Sequence, residues 1–435
     1  MIALPTSIST ILRPTCDLRI AFQSTPNCIA LAVPTRPRRN RTVHFWGDLM
    51  PSLPSVPQDV LAHVVDVHCH PSQRSIEHSV TSALVHAICP MASRPWDQPR
   101  IRALAEQCPE KVIPAFGYHP WFTHHIALTP PISTETHYRS LFLPSSQASD
   151  AHEATFSRLL PALPQPITLS DLLADLRQNL AAFPNAMVGE VGIDRAARVP
   201  FIPIADDVSV DRDDHRELSP FTIPTAHQLA ILEAQLEVAM ELRRNVSLHS
   251  VKAVQQTREL FDSMKAKHGQ RWRDISVDLH SCGVSPEVWS EIEKRHPNVF
   301  LSLSTAINAR SPNHRLLIKV ANPSRLLAES DQEKINELGQ LTWDMIRTIA
   351  EVKGWCIEDR WDYPDDDADE IEEAHKPDWG VVKRLEVNWR RFVRGKHDEA
   401  IKKSSKEKRA EYAKSSKWDN WGDSDSSDEQ NVTHK

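Results

Sequence analysis

The sequence predicts a parallel (β/α)8 barrel of the TIM type with long loop insertions and disordered termini. Three observations predict it. Eight short apolar runs rich in β-branched residues recur between residues 63 and 331. Segments with apolar residues at helical spacing lie between several of them. Histidines and carboxylates stand at the ends of the runs, where a barrel gathers side chains from distant parts of the chain. An open doubly wound sheet is the alternative, but the eight units and the histidine placement favour closure.

The runs, in order, are HVVDVH (63–68), ALVHAIC (83–89), VIPAFGYH (112–119), AMVGEVGI (186–193), NVSLH (245–249), DISVDLH (274–280), VFLSLS (299–304) and SRLLAESD (324–331). The clearest helix between them is AHQLAILEAQLEVAMELRR (226–244), and 250–267 and 285–296 have similar spacing. Ser285 before Pro286 reads as an N-cap followed by proline in the first turn. The segment 379–393 reads as a closing amphipathic helix.

Insertions interrupt this pattern at about 121–168, 195–224 and 358–375. The first two follow strands and would sit on the face that carries active sites, as substrate-contacting or disordered loops. The third is strongly acidic and expected to be solvated. Residues 1–49 are Arg-, Ser-, Thr- and Pro-rich with few acids, a composition shared with mitochondrial transit peptides. No amphipathic helix can be drawn there, so a disordered extension, or an upstream stretch before a start at Met50, is the favoured reading. The barrel is expected over 50–395, and a charged disordered tail over 396–435.

Composition excludes some classes. No run of about 18 apolar residues exists, so no membrane span is expected. The net charge of −7 argues against a broadly basic nucleic-acid binder, although a local basic patch would escape the count. Seven cysteines without regular spacing suit a reducing compartment, the cytoplasm or nucleus.

The stretch HVVDVHCHPSQ places His68 and His70 two apart, on one face of a strand end. Cys69 between them should point away and pack against a helix. Glu190 ends the fourth run, His249 the fifth, His280 the sixth and Asp331 the eighth. A lone histidine at a strand end is more often hydrogen-bonded or exposed than a ligand, and a lone Asp331 could cap a helix. Four histidines and two acids at the same end of a barrel are harder to explain that way. Imidazole with carboxylate suits Zn, Mn or a site tolerant of Mg. Six candidates exceed the needs of one four-coordinate ion, and a carboxylate such as Glu190 can bridge two.

In that order, DVHCHP, FGYHP, VGEVGID, LHS, DLHSCG and LLAESD resemble the motifs of TatD-type metal-dependent deoxyribonucleases, in the amidohydrolase superfamily. The resemblance covers about residues 63–395. It implies two divalent ions (Mg, Mn or Zn), one held by His68, His70, Glu190 and Asp331 and the other by Glu190, His249 and His280. It implies a metal-activated water that attacks phosphorus, with Asp331 orienting that water and taking its proton. His119 would contact a phosphate oxygen or donate to the leaving group; a buried hydrogen-bonded histidine is an equal reading. Many members carry arginine two residues after the strand-five histidine. Here that position is Val251, followed by Lys252, a weaker phosphate holder than a guanidinium. The resemblance is nearest to a fungal branch named for interaction with an anaphase-promoting-complex subunit. DNA is the implied substrate and such a subunit an implied partner. Two other readings stand beside it: an interaction protein on a retained barrel, and a metal hydrolase of a small ester or amide.

Overall fold

The computed structural model describes residues 56–71, 86–144, 149–202, 217–364 and 375–398. The expectations for 1–49 and for the tail beyond 398 lie outside these residues.

All eight expected runs are strands: β1 (Val65–Cys69), β2 (Ala87–Pro90), β3 (Ala115–Phe116), β4 (Met187–Asp194), β5 (Val246–Val251), β6 (Val277–Leu279), β7 (Val299–Leu303) and β8 (Leu326–Ala328). β3 to β8 form one parallel sheet in sequential order, and β1 pairs with β2. Bridges at Ile88–Val112 and Met91–Ala115 join β2 to β3. The ring closes where Asp331 N–H donates to His68 C=O (3.0 Å) and His70 N–H to Gln332 C=O (2.8 Å). The result is a closed barrel, as the sequence predicts.

The helices are α1 (Asp97–Gln107), α2 (Leu169–Ala182), α3 (Thr225–Leu242), α4 (Val254–His268), α5 (Pro286–Arg295), α6 (His314–Val320), α7 (Ile335–Lys353) and α8 (Val381–Arg394). Ser285 caps α5 through Val288 N–H. Alternate strand residues such as Val246, Leu248, Leu301 and Leu303 meet Leu236, Phe261, Trp289 and Ile349 of the surrounding helices. Cys69 packs outward with Leu104, Ala105 and Leu338.

The barrel interior is filled at one end by Val67, Met91, Ala115, Met187, Phe300 and Leu327, on which Trp389 and Phe392 of α8 close. Asn388 donates to Leu326 C=O (2.8 Å) and Asn245 to Phe392 C=O (2.9 Å), so α8 lies across the strands' N-terminal ends. That placement differs from a simple amphipathic helix: Lys383, Glu386 and Asn388 are all buried. The Lys383 ammonium lies over the rings of Trp361, Tyr363 and Trp379. At the described start of the acidic insertion Asp359, Arg360 and Asp362 are exposed, as expected, while Glu358, Trp361 and Tyr363 turn toward α8. Glu358 accepts from Val382 and Lys383 N–H (3.0 and 2.9 Å), satisfying the open donors of α8. The folded body also runs past residue 395, since His397 Nε2 lies 2.7 Å from Ser276 Oγ.

The first two insertions are folded where described. Helices at Thr134–Phe142 and Asp150–Leu159, capped by Ser133 and Ser149, bring Tyr138, Phe142, Phe156 and Leu159 against Val199 and Phe221 of a ribbon, Arg198–Pro200 with Leu218–Thr222. The two insertions bury each other's apolar faces, which neither could do alone.

Candidate active site

Two strands break their own alternation to build the site. The β1–β2 register slips by one residue between Asp66 and Cys69, and the β4–β5 register slips between Val188 and Val191. A slip of this kind is a bulge, which re-aims a side chain. Val67 therefore joins the interior core while the next residue, His68, also faces the interior, where it meets Ser247. Gly189 and Glu190 repeat the device. A Cβ on Gly189 would meet Met91 Sδ at 2.9 Å and Ser247 Cβ at 3.1 Å, so glycine leaves room beneath the Glu190 carboxylate.

That carboxylate is buried and spans two groups of nitrogens. Oε1 lies 2.8 Å from His249 Nδ1, 2.8 Å from His280 Nε2 and 3.2 Å from His119 Nε2. Oε2 lies 3.4 Å from His70 Nε2 and 3.7 Å from His68 Nε2. His70 Nε2 is 3.1 Å from His68 Nε2 and 3.6 Å from Asp331 Oδ1. His249 Nδ1 and His280 Nε2 are 3.3 Å apart. Four ligands around a tetrahedral zinc stand about 3.3 Å apart, given bonds of about 2.0–2.1 Å. The group of His68, His70, Glu190 and Asp331 matches that spacing, while Glu190 meets His249 and His280 more closely, at hydrogen-bond length.

The chemistry of the donors also fits divalent ions. Among the described residues, every ion-pair partner of Glu190 is an imidazole. Burial, and then the neighbouring His280, hold His68 well below the ordinary imidazole range, keeping it neutral with a lone pair to offer. Burial pushes Glu190 upward, but His119 and His280 outweigh it and hold the carboxyl well below its usual range. Behind the ligands, Ser247 Oγ lies 2.8 Å from His68 Nδ1. Asp194 Oδ2 lies 3.6 Å from His249 Nε2, and Glu329 Oε1 lies 3.6 Å from His280 Nδ1. Of these only the Ser247 contact is a hydrogen bond that can fix a ring's orientation; the two carboxylates face their histidines at longer range.

His119 is a different case, although it stands with Glu190 and His249 in a third potential metal group. Trp121 N–H donates to its Nδ1 (3.1 Å), so the neutral ring carries its proton on Nε2, facing Glu190. Burial lowers its pKa to about 4. A protonated Nε2 donates a hydrogen bond and cannot hold a metal. Lys252 lies exposed on the rim at φ 51°, and its carbonyl accepts from Arg195 (3.2 Å). Arg195 N–H in turn donates to Val251 C=O (3.1 Å). The guanidinium missing from position 251 thus has a neighbour supplied by the adjacent strand.

The structure brings His68, His70, Glu190, His249, His280 and Asp331 together, with His119 beside them. Sequence reasoning missed Asp194, Ser247 and Glu329 as backing groups, and Trp121 and Arg195 on the rim. The first three had a signal. Ser247 precedes His249 by two positions and Asp194 follows Glu190 by four, each on the same strand face, and Glu329 precedes Asp331 by two just past the end of β8.

The fold and the clustered ligands define a metal-dependent hydrolase. The TatD related DNase family matches residues 65–371, and the chain belongs to that family. Among similar proteins, the Cut9-interacting protein scn1 of Schizosaccharomyces pombe is 32% identical over 332 residues, 68% of this chain and 94% of the relative. An uncharacterized deoxyribonuclease of Saccharomyces cerevisiae is 24% identical over 250 residues, 56% of this chain and 74% of the relative. Of solved structures, a TatD homologue from Escherichia coli aligns over 76% of this chain and 98% of its own, with 17% identity and a TM-score of 0.44. An uncharacterized amidohydrolase from Saccharomyces cerevisiae aligns over 76% and 99%, with 11% identity and a TM-score of 0.47.

Proposed function

We propose that the chain is a two-metal phosphodiesterase that hydrolyses DNA. The observation that carries this reading is the division of Glu190: one oxygen faces His249 and His280, the other faces His68 and His70. A carboxylate so placed could serve two ions with one residue. His68, His70, Glu190 and Asp331 would hold one, and Glu190, His249 and His280 the other. Two such ions, when bound, supply Lewis acidity toward phosphoryl oxygens and acidify a nearby water.

The chain's own residues do the rest. Asp331, at the open end of β8, orients the attacking water and takes its proton. His119, whose ring the Trp121 backbone fixes with Nε2–H toward Glu190 Oε1, would lie against a phosphoryl oxygen or leaving group held beside that carboxylate. Arg195 and Lys252 on the rim draw the phosphate backbone toward the mouth, the guanidinium offering the bidentate geometry that lysine lacks.

The test is cleavage of a DNA oligonucleotide by purified protein with Mg, Mn or Zn, beside Asp331→Asn. Metal-dependent cleavage that the variant loses supports the reading; no cleavage with two ions bound per chain ends it.

A protein partner is compatible with this activity. The Schizosaccharomyces pombe relative is named for an interaction with Cut9, and the match covers 94% of that relative. We extend the reading to a similar partner here, without displacing the catalytic role.

A further inference from the structure

The turn that follows β3, Pro120–His125, is held from several sides. Its carbonyls at Thr123 and His124 lie 2.9 Å from His227 Nε2 and 2.8 Å from His137 Nε2. Thr123 Oγ1 donates to Pro120 C=O (2.8 Å). Within this turn Phe122, Thr123 and His124 are buried, and Trp121 is 43% exposed. A tryptophan left open on a rigid turn needs a reason, since burying its apolar face would be favourable.

A hydrogen bond to a fixed carboxylate keeps it open. The indole Nε1–H donates to Asp194 Oδ2 at 2.6 Å. Asp194 is itself fixed, because its Oδ1 accepts from Ala196 N–H (2.7 Å) and Ala197 N–H (3.0 Å). The indole cannot swing into the core without breaking a hydrogen bond to a carboxylate. It stands edge-on to His119, with ring centroids 4.9 Å apart, and 6.4 Å from the ring of His249. A flat aromatic surface is therefore held beside His119 and one ring away from the ligand set.

We propose that Trp121 is a stacking platform for the nucleobase adjacent to the scissile phosphate, and that Asp194 is the positioning residue that holds it. This rests on the phosphodiesterase reading and narrows its substrate. A base can lie on an indole only through a face free of its own stack, so the site takes strand ends in preference to paired interior nucleotides. Stacking tolerates any base, because each presents a π-face.

The test separates recognition from hydrolysis. Manganese-loaded full-length protein is titrated calorimetrically with deoxyadenosine 5′-monophosphate and with 2-deoxyribose 5-phosphate, which has no base. Wild type should bind the nucleotide on the order of tenfold more tightly, as one stacked base contributes. Trp121→Ala should reduce that ratio to near one, and Trp121→Phe, which keeps a ring and loses the N–H, should retain most of it. A wild type with no preference for the base, or a Trp121→Ala protein that keeps it, overturns the proposal. Oligonucleotide cleavage is measured on the same samples. A base preference without cleavage would sink the phosphodiesterase reading and leave the platform. Cleavage without a base preference would do the reverse.

Discussion

The imidazole of His68 lies flat on that of His280, with centroids 3.7 Å apart and planes within 4°. These residues belong to the two different nitrogen groups around Glu190, so neither group can be altered without disturbing the other. We expect His280→Ala to lose both ions, because the His68 ring loses the surface that orients it. Metal analysis of the purified variant by plasma mass spectrometry checks this. Retention of one full equivalent would show that the groups are independent.

Arg195 offers a second expectation. Its guanidinium is pinned over the end of β5 by Lys252 C=O and takes no part in the ligand set. Arg195→Ala should raise KM for an oligonucleotide by on the order of tenfold, the loss of one charge-assisted phosphate contact, with kcat much less affected. The salt dependence of KM should become shallower. An unchanged KM would remove Arg195 from the substrate path.

Gly192 sets the approach of β4 to β5. A Cβ there would lie 2.1 Å from His249 C=O, a backbone atom that cannot turn aside. Gly192→Ala should separate the strands that carry Glu190 and His249, costing roughly 2–4 kcal/mol of stability and most of the bound metal. Urea unfolding followed by circular dichroism measures the first effect. A midpoint within error of wild type would show that the strands can part without penalty.

Away from the site, buried neutral histidines shape the acid limb of stability. Burial, reinforced by Lys111, lowers His86 to about 4, and burial with Arg394 lowers His397 to about 3. In the unfolded chain both titrate near 6.5. Above that pH neither state holds the proton and stability is unaffected. As pH falls from about 6.5 toward 4, the unfolded chain takes up protons that the native state refuses, so stability drops by about 1.4 kcal/mol per pH unit for each such group. His86→Gln should make this slope shallower by about one proton's worth. Urea midpoints between pH 7 and 4.5 test it, and an identical slope would sink the assignment.

Much of this was legible in the residues because the barrel writes itself in alternation. The eight runs, the strand ends and the six candidate ligands follow from period-two patterning and from where a barrel gathers its side chains. The slips at Val67–His68 and Gly189–Glu190 were not legible, since each replaces a regular phase with two inward residues and the sequence shows only ordinary neighbours. The burial of Lys383 was hidden for another reason. A lysine on a helix reads as solvated until Trp361, Tyr363 and Trp379, from a segment that reads as acidic loop, close over it. Trp121 gave no pattern to read: its exposure depends on Asp194, a residue far along the chain.

The seam between β1 and β8 has a consequence for how the protein is made. Ser330 N–H donates to Asp66 (2.9 Å) across 264 positions of chain, and His68 and His70 meet Asp331 only when that seam closes. During synthesis the first two histidines emerge early and must wait, unpartnered, for the final strand and for the helix that seals the floor. Contacts so distant in sequence form late. A chain that lacks its last strand therefore has an incomplete cradle for an ion, and the ligand set is assembled only when the two ends of the barrel meet.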